Sequence, residues 1–186
     1  MIMKTFFLNI FIFSVLLIAP LVAMAQGISI ENASGRLKDG FYQVDANVKY
    51  DLGDSVIEAL NHGIQLRFDI TVEVKRVRKW RWDQNIATAI LSYTLDYLPL
   101  TNNYQITNII TEEKRQFKEL PESLEFLGNI DEFPVINENE LFDDRSYNCF
   151  IKSELRIRNL PLPLQPLALI SPSWELSSSW HEWSIR

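Results

Sequence analysis

A strict alternation of apolar and polar side chains between Ile64 and Lys75 constrains the fold of this chain more than any other feature. The apolar members are Ile64, Leu66, Phe68, Ile70, Val72 and Val74, and they alternate with Gln65, Arg67, Asp69, Thr71, Glu73 and Lys75. Successive side chains of a strand point to opposite faces of a sheet, so this period predicts a half-buried strand of an antiparallel sheet. A slip of one residue would move the whole apolar set into water, so the register is strongly specified.

Similar patterns predict further strands and two short helices. The additional strands are expected at residues 28–33, 42–50, 87–97, 104–110 and 147–157, with a terminal strand around residues 174–176. The first helix should begin at an Asp54 cap and end at Gly63, a residue that tolerates the left-handed conformation. The second should occupy residues 121–127, because Pro121 favours a helix start and leucines recur at helical spacing before Gly128.

These elements together indicate an α+β domain, a mainly antiparallel sheet with two short helices packed on it. A pure β-sandwich is the alternative. The segment of residues 131–144 contains six acidic side chains and no basic one. We expect this segment to be a solvated loop.

The N-terminal region, residues 1–25, has the order of a secretory signal peptide. Lys4 precedes an apolar run at residues 6–22, and small Ala25 provides an expected cleavage site. Residues 26–186 then form one domain, exported and periplasmic in localisation. The alternative is an inner-membrane anchor, because an uncleaved run of 17 residues is close to the lower limit for spanning a bilayer.

The charge and cysteine content of the mature chain argue against general nucleic-acid binding and against an intramolecular disulfide. Removal of Lys4 leaves 17 basic against 24 acidic side chains, a formal net charge of −7. A dominant basic surface, which general nucleic-acid binding requires, is therefore not expected. Cys149 is the single cysteine, so no intramolecular disulfide forms. Its alternation with Tyr147 and Ile151 predicts a buried, inert thiol.

One basic and aromatic cluster departs from this acidic background. It consists of Lys75, Arg76, Arg78, Lys79, Trp80, Arg81 and Trp82. The cluster falls where one long strand should turn into the next, so we expect it to project as a hairpin tip. Such a tip could contact an anionic membrane surface or an acidic partner. Alternatively, the cations face solvent while the tryptophans cover an edge of the core.

The sequence contains no recognisable catalytic, cofactor or metal motif. His62 falls at the expected end of the first helix, where a cation is favourable, and His181 is distant from it, so we expect no metal site. Nucleophile elbows and phosphate-binding glycine loops are also missing, and we expect neither a cofactor nor an enzyme. Pro161, Pro163 and Pro166 alternate with leucines, which predicts an edge or polyproline-like segment packed on the domain.

Several segments resemble an exported bacterial family, domain of unknown function 4390, also called proline-rich signal-peptide protein. They are residues 59–64, 79–83, 91–93, 160–169, 171–178 and 180–183. The resemblance implies an envelope protein of Gram-negative bacteria and assigns no catalytic residue. Members of that family are often encoded beside a membrane sensor kinase of the nitrogen-regulation type, so the resemblance also implies a signalling partner.

Three functions follow as hypotheses. The first is a non-enzymatic binding or accessory module that docks on an inner-membrane partner, such as a sensor kinase, through the basic tip. The second is a carrier of a small ligand or lipid, with an apolar pocket lined by Phe68, Tyr93 and Tyr97. The third is an envelope hydrolase, which would need a buried carboxylate with a perturbed pKa in a cleft.

Overall fold

The structure, a computed structural model, describes residues 27–156, Trp174 and residues 176–185. The predictions for residues 1–25 and for the leucine and proline segment, residues 160–169, therefore lie outside the described residues. The elements follow one another as β1 (Gly27–Lys38), β2 (Phe41–Asp51), α1 (Asp54–Asn61), β3 (Leu66–Arg76), β4 (Gln84–Leu98), β5 (Asn103–Asn108), β6 (Lys114–Phe117), α2 (Leu120–Gly128), β7 (Asn129–Asn137), β8 (Tyr147–Leu155) and β9 (His181–Ile185). A single 3₁₀ turn, Glu138–Glu140, follows β7.

The strands form two antiparallel sheets. One has three strands in the order β1-β2-β7, and the other has six in the order β6-β5-β4-β3-β8-β9. The strand with the strongest alternation, β3, lies inside the larger sheet between β4 and β8. The five apolar side chains of β3 that face inward are fully buried.

The two sheets face each other across the core. The rings of Tyr50 on β2 and Phe68 on β3 are 5.1 Å apart in an edge-to-face arrangement. The hydroxyls of Tyr50 and Ser153 are hydrogen-bonded at 2.9 Å, and Trp183 Nε1 donates to the Tyr42 hydroxyl at 2.8 Å. The predicted α+β fold, mainly antiparallel sheet with two short helices, is confirmed. Its sheet is divided in two, a feature that it shares with the sandwich alternative.

Both predicted helices are present. Gly63 follows α1 with φ of 81°, the left-handed conformation expected of it. The expected cap is wrong by one residue, because Gly53 is the N-cap and Asp54 is the first helical residue. The N-cap residue makes no side-chain hydrogen bond to α1, so Asp54 acts through its charge near the positive end of the helix dipole.

The prediction of a solvated loop at residues 131–144 is wrong for its first part, which belongs to β7. The acidic side chains point outward, while Ile130 and Ile136 are buried and the strand pairs with β2. Asp45 on β2 also accepts a hydrogen bond from the backbone N–H of Glu132 at 2.8 Å. A high local charge therefore did not prevent strand formation, because every second or third position still supplied an apolar side chain.

Several strand ends differ from expectation. For example, β1 continues to Lys38 where its end was expected at residue 33. β5 ends at Asn108 and not at Ile110, because the Asn108 side chain accepts hydrogen bonds from the N–H groups of Ile110 and Thr111 at 2.9 and 3.2 Å. The terminal strand lies later than predicted, at β9. Leu176 instead hydrogen-bonds to the end of β8 through its carbonyl oxygen, which accepts from Leu155 N–H at 2.8 Å.

The junction of α2 with β7 depends on a glycine. A Cβ atom placed on Gly128 would lie 1.9 Å from the carbonyl oxygen of Val48 on β2. Because β2 lies between β1 and β7, its backbone at Val48 cannot move away without breaking hydrogen bonds to those strands. Gly128 therefore allows α2 to pack closely against the three-stranded sheet.

We expect Gly128→Ala to lower the free energy of unfolding by about 2 kcal/mol or more, because the added methyl group overlaps the Val48 carbonyl. The matched control is Gly27→Ala, where nothing lies within 4 Å of the new Cβ atom and the change should stay within about 0.5 kcal/mol. Urea denaturation of both variants measures the difference. Equal stability of the two variants would contradict the close approach.

Candidate functional site

The predicted hairpin tip is present as the loop that connects β3 with β4. We call residues 77–83 the tryptophan loop. Val77 N–H donates to the carbonyl oxygen of Ser146 at 2.9 Å, and Arg78 N–H donates to Asp83 Oδ1 at 3.1 Å. The first bond ties the start of the loop to the residue before β8, and the second joins the two ends of the loop to each other, so the loop projects from a defined base.

Trp80 and Trp82 project into solvent. Each indole is 95% exposed. The alternative in which these tryptophans cover an edge of the core is therefore wrong. Arg78, Arg81 and the two indoles together surround an open depression at the tip. Large exposed aromatic side chains of this kind typically mark an interaction site.

The basic cluster divides into two groups. Lys75 belongs to the outer face of the six-stranded sheet, where its Nζ lies 2.8 Å from Glu73 Oε2 and 4.6 Å from the centroid of the Phe150 ring. In contrast, no ion pair joins Arg76, Arg78, Lys79 or Arg81 to any other residue that the structure describes. These four cations therefore differ from Lys75, which is paired with Glu73.

A second site, which the sequence interpretation missed, surrounds Asp69 on the outer face of β3. This side chain is only 3% exposed, and it accepts hydrogen bonds from Ser92 Oγ at 2.7 Å, Arg67 Nε at 3.0 Å and Arg156 Nε at 2.6 Å. The sequence alone does not reveal this cluster, because Arg156 is far from Asp69 along the chain. Only the strand register of β3 and β8 brings the two side chains together.

The electrostatics of Asp69 suit a structural carboxylate. Burial alone would raise the pKa of its carboxyl group, but the hydrogen bonds from Ser92, Arg156 and Arg67 outweigh it, and the pKa is lowered. A general acid would need the opposite shift, a pKa raised towards neutrality. Asp69 therefore offers no support for the hydrolase hypothesis.

Cys149 and the two histidines lie where the sequence placed them. The Cys149 side chain is buried, and desolvation raises the pKa of its thiol to about 12. His62 caps the end of α1, with Nδ1 2.7 Å from the carbonyl oxygen of Glu58. His181 lies on β9 beside Trp183. Within the described ranges, no group of three or more His, Cys, Asp or Glu side chains is arranged to hold a metal ion.

The three residues proposed for a carrier pocket have different surroundings. Phe68 is fully buried in the core, Tyr93 lines a small cavity of about 30 Å³, and Tyr97 packs against Tyr104 with ring centroids 5.2 Å apart. A larger groove, of about 890 Å³, lies between the end of β2 and α2. Its apolar wall includes Phe117, Leu120, Leu124 and Phe126.

Comparison with known proteins places the chain in one family. A family model described as Domain of unknown function (DUF4390) matches residues 25–184, which confirms the resemblance found in the sequence. No curated protein matches the chain, and no solved structure matches it. In the part of the chain that the structure describes, no helix has the length and apolar character needed to cross a membrane.

We expect Asp69→Asn to lower the free energy of unfolding by about 2 kcal/mol at neutral pH, since two arginines lose a buried carboxylate partner. The pKa of Asp69 is lower in the folded chain than its unfolded value of about 3.9. The contribution is therefore present above that value and is lost as the pH falls through the folded pKa. The difference between the wild-type protein and the variant should narrow in acid.

Urea denaturation at neutral pH and at about pH 3 measures this change. Asp143→Asn is a suitable control because Asp143 is exposed, and its effect should be small at both pH values. A deficit of Asp69→Asn that stays constant from neutral to acidic solution would contradict the role of the charged carboxylate.

The Cys149 thiol should react with a disulfide reagent at least about a hundredfold more slowly in the folded protein than in urea, because it is buried and its pKa is raised. Leu100→Cys provides a control on the same chain, since Leu100 is fully exposed. The spectrophotometric reaction should then show one fast and one slow thiol. Two fast thiols in the native protein would show that Cys149 is accessible.

Proposed function

The chain belongs to the family described as Domain of unknown function (DUF4390), and from that premise we propose that it is an exported, non-enzymatic binding module of the bacterial envelope. In this proposal the module docks on an inner-membrane partner through the tryptophan loop. Export is supported by the signal-peptide pattern of residues 1–25. A sensor kinase is the kind of partner that the family resemblance implies.

The observation that supports this proposal best is the exposure of Trp80 and Trp82, each 95% accessible. An indole in water contributes nothing to the core, and each aromatic side chain offers about 150–250 Å² of surface to a partner. Tryptophan and arginine are also the residues that most often dominate binding energy at protein interfaces. The tryptophan loop combines both types on one short connection.

Charge gives the docking its selectivity. The whole chain is acidic, with a formal net charge of −6, whereas Arg76, Arg78, Lys79 and Arg81 are concentrated at one tip. An acidic segment of a partner would meet this tip and be repelled by much of the remaining surface. Because exposed charges are screened beyond about 8 Å at physiological salt, this selectivity acts at short range.

A second candidate function, a carrier of a small apolar ligand, is favoured by the groove between β2 and α2. Its volume of about 890 Å³ is within the range of ligand sites, and Leu120, Leu124 and Phe126 supply apolar wall. Its rim also contains charged side chains, among them Glu31 and Lys49. Native mass spectrometry of gently purified protein tests this candidate, and consistently ligand-free protein would exclude it.

We expect the double substitution Arg78→Glu and Lys79→Glu to release the protein from the inner-membrane fraction without lowering the melting temperature. The two side chains have no ion-pair partner among the described residues, so reversing them removes attraction to an acidic partner while the core stays intact. Fractionation of cells expressing each variant, together with lysine-directed crosslinking through Lys79 in the wild-type protein, measures the retention.

The matched control reverses two cations of equal charge elsewhere, Lys114→Glu and Lys118→Glu, both exposed and distant from the tryptophan loop. This control should remain in the membrane fraction and yield the same crosslinked product as the wild-type protein. The proposal fails if both double variants fractionate alike, or if the wild-type protein repeatedly gives no crosslinked partner.

A further inference from the structure

Exposed apolar side chains concentrate at one end of the molecule. Six of the eleven large exposed hydrophobic residues of the described chain lie in or directly beside three connections, and these are Leu37, Phe41, Val77, Trp80, Trp82 and Phe142. The connections are the turn between β1 and β2, the tryptophan loop, and the segment that joins β7 to β8. We call residues 37–41, 77–83 and 138–146 the three-loop surface.

Backbone hydrogen bonds make this surface continuous. Glu138 N–H donates to the carbonyl oxygen of Gly40 at 2.9 Å, and Val77 N–H donates to that of Ser146 at 2.9 Å. The β7–β8 segment therefore lies between the other two connections and touches both. Phe142 lies in this segment and is 51% exposed. Its backbone N–H donates a hydrogen bond to the Tyr147 hydroxyl at 3.2 Å, which holds it in place.

We propose that the three-loop surface lies on the headgroup layer of a phospholipid bilayer, with Trp80, Trp82 and Phe142 entering the interface. This inference rests on the proposed function and deepens it, because it names lipid as the ligand of the apolar side chains beside the protein partner that the cations meet. Tryptophan is the residue enriched at membrane–water interfaces, where its ring is apolar and its N–H stays hydrated.

The charges of the surface favour lipid as the occupant. Residues 76–83 contain four cations and Asp83, whereas residues 138–146 contain four acidic side chains and Arg145. Since the two segments are adjacent, their opposite charges nearly cancel at a distance. A bilayer presents phosphate and ammonium groups together and can satisfy both signs locally. The apolar side chains must then contribute more to the membrane affinity than the attraction to anionic lipid does. Vesicles with and without anionic lipid can compare the two contributions.

The shape of the surface points the same way. Trp80, Trp82 and Phe142 stand on two separate loops, and both indoles are almost wholly exposed. A fluid headgroup layer deforms around projecting side chains, so it can cover both indoles and Phe142 without a preformed cavity for each. A lipid headgroup layer is thus the occupant that fits these projecting side chains.

The strand directions place this contact at one end of β1. Gly27, where β1 begins, pairs with Asp51, whereas Lys38 at the other end of β1 pairs with Phe41 in the three-loop surface. At about 3.3 Å per residue, these ends of β1 are about 36 Å apart. Lipid binding through the loops therefore occurs at the opposite end of β1 from Gly27.

Vesicle flotation of the protein purified from cell envelopes tests the inference. The vesicles contain phosphatidylethanolamine with about 30% phosphatidylglycerol, and a second set lacks the anionic lipid. We expect Trp80→Ala with Trp82→Ala to weaken partitioning at least about tenfold, and Phe142→Ala about threefold, through lost apolar contact. Omitting phosphatidylglycerol should weaken partitioning of the wild-type protein less than the double tryptophan substitution does.

Leu100→Ala is the matched control, since Leu100 is fully exposed but lies in the turn after β4, far from the tryptophan loop before it. It should partition like the wild-type protein, and all variants should keep the wild-type melting temperature. Wild-type protein that does not float with either vesicle, or equal flotation of wild type and the tryptophan variant, would overturn the inference.

A protein partner crosslinked through Lys79 in cells, without any vesicle binding, would overturn the lipid contact alone and leave the proposed function standing. Self-association that the tryptophan substitutions abolish, again without vesicle binding, would instead identify the surface as an interface between two copies. Vesicle binding without a crosslinked partner would support the lipid contact and contradict the docking on a protein.

Discussion

Five apolar side chains of β3 lose all contact with water, and they do so in only one register. Leu66, Phe68, Ile70, Val72 and Val74 are each fully buried, which at about 1.5–3 kcal/mol per side chain is an upper estimate of about 8–15 kcal/mol. That amount matches the whole net stability of a typical domain. The hydrogen-bonded pairs of β3 with β4 and β8 are therefore fixed, and so is the base from which the tryptophan loop projects.

The polar half of the same alternation has its own structural role. On the outer face, Asp69 holds Arg67 and Arg156, and Arg156 also pairs with Glu154 at 2.7 Å. The ion pair between Lys75 and Glu73 continues this pattern along β3. The outer face is thus a network of paired charges. This explains why Lys75 differs from the cations of the loop although they are close in sequence.

Sequence reasoning predicted the elements whose pattern is local and failed where a tertiary partner decides. The alternation identified β2, β3 and β4, and leucine spacing with Pro121 identified α2, since each signal needs only neighbouring residues. β7 was missed because its acidic residues suggested solvent, and only pairing with β2 shows that Ile130 and Ile136 are buried. The cluster around Asp69 was missed for the same reason, since Arg156 is distant from it in sequence. The hairpin tip was predicted from the sequence. The position of Phe142 beside it could be recognised only from the fold, which brings the β7–β8 segment to the loop.

The tryptophan loop separates binding from stability in an unusually direct way. Its indoles are outside the core, so they add little to the free energy of unfolding. Their apolar surface can be buried only against a partner or a membrane. The hydrogen bonds of Val77 and Arg78 hold the loop before any partner arrives. Less conformational entropy is then lost on docking, and a larger part of the contact energy remains as affinity. Because the adjacent acidic segment nearly cancels the long-range field of the cations, the cations and the indoles of the loop both act on a partner or a membrane at short range.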